Sequence, residues 1–126
     1  MAKSPQARSK DRGKSFEHKV KKLTGGYIHT GLDGDVFAFD GQHRKWMFEC
    51  KYRTGFRLIT PSEMADFLDQ VSRYVTMNWD KGQKWALALT GGKTRQFPKL
   101  SKSNTFILIS LEQFLELGGF GDYDGQ

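Results

Sequence analysis

Two short runs rich in aromatic residues, Asp35–Phe39 and Lys45–Lys51, flank the polar segment Asp40–Arg44. Runs of this kind, bounded by turn residues, read as strands. The stretch 31–52, GLDGDVFAFDGQHRKWMFECKY, therefore folds as a hairpin, and its register constrains everything around it. A two-residue loop at Asp40-Gly41 sets Asp35 opposite Trp46. A five-residue loop over Asp40–Arg44 pairs Phe39 with Lys45 and sets Asp35 opposite Glu49. Directly opposed residues have Cβ atoms roughly 5 Å apart, close enough for two carboxylates to share an ion. The residues alone leave both registers open.

The other elements follow from periodicity and punctuation. Phe16, Val20 and Leu23 recur at helical spacing, and Gly25-Gly26 supplies a stop, so the spacing predicts a helix from about Arg12 to Leu23. Tyr27–Thr30 is a short candidate strand. Thr60-Pro61-Ser62-Glu63 combines an N-cap, a proline at the first helical position and a capping-box glutamate. Met64, Phe67, Leu68, Val71, Tyr74 and Val75 continue that helix to about Asn78. Lys84–Leu89 and Thr105–Ser110 read as buried strands, with a long basic loop over Gly91–Asn104 between them. Leu111–Leu117 reads as a short helix stopped by Gly118-Gly119. This order implies an α/β sandwich around a mixed sheet. The expected organisation is a basic, flexible arm over 1–11, one domain over 12–120 and a loose tail over 121–126.

The chain has 126 residues, a formal net charge of +6 and a pI of about 9.5. That length suits one domain with its own core. A basic balance speaks for nucleic acid as partner before an acidic membrane surface. The single cysteine, Cys50, excludes an intrachain disulfide and fits a reducing, cytoplasmic setting. No apolar run is long enough to span a membrane, and no secretory leader is apparent.

Phosphodiester hydrolysis needs an activated water in line with the leaving oxygen and positive charge to offset the charge that develops. Mg²⁺ keeps several of its waters, so one or two carboxylates suffice to hold it. Asp35 and Glu49 can supply them, and Mn²⁺ can substitute. Lys51, two residues on from Glu49 in the same strand, shares its face. Its ammonium is placed to orient the water or stabilise the transition state. The Cys50 side chain points the other way, so only its backbone carbonyl is available to a metal. Glu17 either pairs with Lys21 one turn on or turns into the site and completes the outer shell. Asp33 competes with Asp35 as a ligand. Acid, thirteen residues, then Glu-x-Lys is a spacing that chance also produces. His18, His29 and His43 lack metal-ligand spacing and read as surface residues. Gly91-Gly92-Lys93-Thr94 lacks the first glycine of a phosphate loop and reads as a basic loop.

Taken together, Arg12-Gly13-Lys14-Ser15-Phe16-Glu17, Gly34-Asp35-Val36 and Phe48-Glu49-Cys50-Lys51 resemble the PD-(D/E)XK nuclease superfamily, and within it the archaeal-type Holliday junction resolvases, which also occur in viruses. The likeness covers roughly residues 10–75. Gln70-Val71-Ser72-Arg73-Tyr74 is similar to the Gln-x-x-x-Tyr element of several such nucleases. The resemblance implies a restriction-endonuclease-like α/β/α core. It implies metal ligation by Glu17, Asp35 and Glu49, with Lys51 as the catalytic lysine and Gln70 close by. It also implies a homodimer that nicks opposite strands of a four-way DNA junction symmetrically. Related resolvases carry a serine shortly before the aspartate; here Thr30-Gly31-Leu32-Asp33 stands in its place.

Lys3, Arg8, Lys10, Arg12, Lys14, Arg53, Arg57, Lys93 and Arg95 are the candidates for phosphate contacts, which position DNA without reading its sequence. Three other readings remain in play: a repair, nicking or restriction nuclease of the same superfamily, an RNA-processing nuclease, and a non-catalytic DNA-binding module. The last is the weakest, because a pure binder gains nothing from acids beside phosphates.

Overall fold

Five strands form one open, mixed sheet in the computed structural model, which describes residues 4–30, 34–53, 59–78, 83–91 and 105–118. They are β1 (Tyr27–Ile28), β2 (Val36–Phe39), β3 (Lys45–Tyr52), β4 (Lys84–Thr90) and β5 (Thr105–Leu108), and they lie in the sheet in chain order. β3 and β4 run parallel, whereas the other neighbours are antiparallel. A parallel pair needs a long crossover, and helix α2 (Pro61–Asn78) supplies it. Helix α1 (Pro5–Thr24) precedes the sheet and α3 (Leu111–Glu116) follows it. The expected α/β class is the one adopted.

The hairpin takes the longer of the two loops. Phe39 pairs with Lys45, Ala38 with Trp46, Phe37 with Met47 and Val36 with Phe48. Asp40 explains the choice. Its carboxylate accepts hydrogen bonds from the backbone N–H groups of Gln42 (2.8 Å) and Arg44 (3.1 Å), from Arg44 Nε (2.8 Å) and from Trp46 Nε1 (2.8 Å). Partial burial pushes its pKa up, but those hydrogen bonds outweigh it and hold the group well below the usual carboxylate range. The loop is organised around this one acid, with His43 in the left-handed conformation at φ 61°.

Alternation along the strands separates two cores. Phe37, Met47 and Leu87 pack against Phe67, Val71 and Tyr74 of α2. Val36 and Ala88, with Phe48 and Cys50 alongside, pack against Phe16 and Val20 of α1. The two helices thus cover opposite faces. Each fully buried side chain such as Phe67, Met47 or Leu87 is worth roughly 1.5–3 kcal/mol of apolar burial. α2 starts as its residues predict. The Glu63 N–H donates to Thr60 Oγ1 (3.1 Å) and the Thr60 N–H donates back to Glu63 Oε1 (3.2 Å).

α1 departs from expectation at its start. It begins at Pro5, not near Arg12, so residues 5–11 of the expected arm are helical. Ser4-Pro5 is a helix-start signal, and no glycine or proline interrupts Gln6–Arg12. At the other end the stop works as read. Gly25 is left-handed at φ 69° and the Gly26 N–H reaches back to Lys21 O at 3.1 Å, a Schellman closure. A Cβ on Gly26 would lie 2.3 Å from Phe37 O, so this glycine also lets the chain pass close against β2. β1 is shorter than expected, ending at Ile28, and β5 ends at Leu108. Residues 92–104 and 119–126, which include most of the expected basic loop and the tail, lie outside the described residues. Among the described residues no helix is long and apolar enough to cross a membrane.

Candidate active site

β2 and β3 part at the point where the acids stand. The ladder ends at Val36–Phe48, one step short of Asp35 and Glu49. The Asp35 N–H still donates to Phe48 O (2.8 Å), but the Cys50 N–H donates to Asp35 Oδ2 (2.7 Å) in place of a strand carbonyl. The carboxylate is thereby anchored on the backbone between Glu49 and Lys51. The preceding Gly34 makes the approach possible. It is left-handed at φ 83°, and a Cβ there would lie 2.4 Å from Met47 Cγ and 2.9 Å from Phe37 Cε1.

Glu49 is 6 % exposed, on an inner strand and not at a solvated edge. Lys51 Nζ lies 3.3 Å from its Oε1. Burial, then the negative charge of Asp35, pushes the Glu49 pKa up to about 7, against the pull of Lys51. Glu17 on α1 is half-buried, and its pKa is raised by burial and next by Asp35, with His18 and Lys14 opposing. Glu17 thus feels the charge of Asp35, and among the described residues it makes no ion pair with Lys21. Glu17, Asp35 and Glu49 form one electrostatic group with excess negative charge, offset in part by Lys51.

Cys50 behaves as its position in the strand predicts. Its thiol packs in the α1-side core, and burial together with the charges of Asp35, Glu17 and Glu49 pushes its pKa up. It is no thiolate ligand. Gln70 lies on the inner side of α2 between Phe67 and Tyr74, and its buried Oε1 has no hydrogen-bond partner. Tyr74 packs against Phe37 and donates to Gln83 Oε1 at 2.6 Å.

The basic residues divide. Arg12 lies over the Tyr52 ring, 5.8 Å from its centre, just beyond Lys51. Lys14 acts on Glu17. Lys10 is exposed on α1. Arg53 is paired with Glu63 of the α2 capping box, so it ties β3 to that helix. Arg8 lies in α1 with its side chain outside the description, and Lys3, Asp33, Arg57, Lys93 and Arg95 lie outside the described residues. Periodicity did not single out His29. Its backbone N–H donates to Asp35 O at 2.9 Å, and its ring lies on Phe37. The available signal was its place two residues after Tyr27, one pleat along from the partner of Phe37.

Among the described residues no three His, Cys, Asp or Glu side chains are grouped so as to hold a metal ion. Asp35 and Glu49 remain, with the charge of Glu17 acting on both, and two carboxylates suit a hard ion that keeps its own waters. No family model, no curated protein and no solved structure matches the chain. Its chemistry is therefore read from this geometry.

Proposed function

We propose that the chain is a Mg²⁺-dependent endodeoxyribonuclease of the restriction-endonuclease-like type that resolves four-way DNA junctions by paired nicks. The observation that carries this is the placement of Asp35, Glu49 and Lys51 at one end of the parting β2–β3 pair, with Glu17 electrostatically joined to them. Buried like charges cost stability unless something offsets them. A protein that keeps them beside a lysine on a basic chain is equipped to act on phosphates.

Asp35 and Glu49 would hold Mg²⁺, or Mn²⁺ in its place, with Glu17 in the outer shell; the ion supplies charge neutralisation and an activated water. The chain's own residues do the rest. The Cys50 N–H fixes the Asp35 carboxylate. Lys51 Nζ sits within reach of Glu49, where it offsets negative charge growing on the phosphoryl oxygens. Gln70 Oε1, on α2, is an acceptor without a donor. Arg12 and Lys14 extend positive charge along α1 for the flanking phosphates.

A homodimer fits a two-fold branched substrate, since paired sites then meet paired strands. Exposed apolar side chains concentrate on β5 and α3, at the sheet edge far from β1: Ile107 at 55 %, Leu111 at 71 % and Leu115 at 49 % exposure. Such apolar surface favours a protein partner, and the second copy is the one proposed.

The test uses synthetic four-way junctions, flaps, plain duplexes and single-stranded RNA, each with Mg²⁺ or EDTA. Paired symmetric nicks in the junction alone, lost in EDTA and in Glu49→Gln, are expected. Cutting of plain duplex at a fixed sequence would move the reading to a restriction-type nuclease. Tight binding without any cleavage would make the chain a binding module.

A further inference from the structure

We infer that His29 is a stacking platform for an unpaired nucleobase next to the phosphate to be cut at the Asp35–Glu49 end of the β2–β3 pair, which rests on the nuclease reading above. The His29 ring lies nearly parallel to Phe37, with 4.3 Å between centres and 11° between planes. Lys45 Nζ lies 4.6 Å from the centre of the same Phe37 ring. A parallel ring and an ammonium cannot share one face at those separations. Phe37 is therefore the middle of a column running Lys45, Phe37, His29. Tyr27 meets Phe37 edge-on, and Tyr74 meets it tilted, so the column is braced from the sides.

Among the described residues the column ends at His29. No other ring among them lies against it, and the side chain is partly exposed. Its position is fixed to the site, because its N–H is bonded to Asp35 O. The result is a flat ring, locked on one face, that ends beside the anchored carboxylate. Surfaces ordered in advance lose little freedom on binding. Every base has a π face, so such a platform accepts any of the four. A base inside continuous duplex already has both faces stacked and is not available. A base freed at a branch, flap or nick is. Thus the ligand class is a nucleic acid with an unpaired or splayed nucleotide beside the cut phosphate.

The experiment places single 2-aminopurine residues at successive positions around the branch of a synthetic four-way junction and titrates the full chain in EDTA. Total binding is followed by anisotropy and stacking by fluorescence quenching. One position next to the branch should quench with the wild-type chain. His29→Ala should abolish that quench and weaken junction binding about ten-fold, with plain duplex binding little changed. His29→Phe, which keeps both ring contacts, should restore the quench. Junction binding in EDTA and cleavage once Mg²⁺ is added, with no His29-dependent quench at any position, would overturn the platform and leave the nuclease reading standing. Failure of His29→Phe to rescue would overturn it as well. No binding of the junction by the wild-type chain would overturn both.

Discussion

Asp35 Oδ2 accepts the N–H of Cys50 at 2.7 Å, so a side chain completes the backbone pairing where β2 and β3 separate. The same atom thus serves the fold and the site, and two substitutions divide those roles. Asp35→Asn keeps an oxygen for the Cys50 N–H but loses the charge. Asp35→Ala loses both and leaves a partly buried N–H unpaired, at a cost of about 1–3 kcal/mol. Both variants should lose cleavage by at least ~100-fold on the proposed reading. Only Asp35→Ala should also show a lowered denaturation midpoint. Equal midpoints for the two variants would remove the structural role of this hydrogen bond.

Glu49 makes metal-free stability depend on pH in an unusual direction. Its folded pKa, about 7, lies above its ordinary value of 4.5. The folded state therefore holds the proton more tightly than the unfolded chain. Stability should rise as pH falls through 7 toward 4.5, by at most about 3 kcal/mol. Asp40 acts in the opposite sense. Its pKa is held low, so its contribution is present above its ordinary value of 3.8 and is lost as pH falls further. In EDTA the thermal midpoint should climb from pH 8 to pH 5 and drop below about pH 4. Glu49→Gln should climb less over that interval, keeping only the contribution of Glu17, whose pKa is also raised. A wild-type midpoint that falls steadily over that interval would contradict the buried, charge-crowded placement of Glu49.

How much of this was legible in the residues depends on range. The capping box at Thr60 and Glu63, the Gly25-Gly26 stop and the strands on either side of Asp40–Arg44 are local, and each carries its own chemistry. The register needed one further fact, that Asp40 collects four hydrogen bonds across its loop. That pattern belongs to the folded loop and is invisible in a motif. The start of α1 escapes periodicity because its first turns lack an apolar stripe; the residues from Pro5 to Lys10 form helix by propensity and a start signal. Within the site, Glu49 and Lys51 followed from alternation along one strand. The engagement of Glu17 with Asp35, the diversion of Arg53 to Glu63 and the position of His29 depend on contacts between elements, which spacing along one element does not encode.

Gly34 carries two constraints at once, a left-handed backbone and no room for a Cβ beside Met47 and Phe37. Gly34→Ala should therefore destabilise by about 2 kcal/mol or more. Because Asp35 follows directly, cleavage should fall even where the variant stays folded. The check is a denaturant titration beside a cleavage assay at a temperature well below the variant's midpoint. Wild-type stability in Gly34→Ala would mean that the loop before β2 follows a different path.

Gln113 closes the other side of the sheet by imitating a strand. It is 6 % exposed, and its Oε1 accepts the Trp85 N–H (2.8 Å) while its Nε2 donates to Trp85 O (3.1 Å). β5 pairs with β4 only from Leu87 to Thr90, so one side-chain amide continues the pairing to Trp85 at the start of β4. Trp85 in turn packs edge-on to Phe67 of α2. Gln113→Leu preserves size but leaves both Trp85 groups unpaired, and should cost about 2–4 kcal/mol. Gln113→Glu keeps the acceptor, loses the donor and brings a charge into a buried place, and should be as damaging at pH 8 but milder at pH 4, where the carboxyl regains a proton. Amide exchange at Trp85 should speed up in Gln113→Leu, which removes the acceptor, while exchange at Phe48 changes less. Unchanged protection at Trp85 would mean that the N–H is held by something other than Gln113.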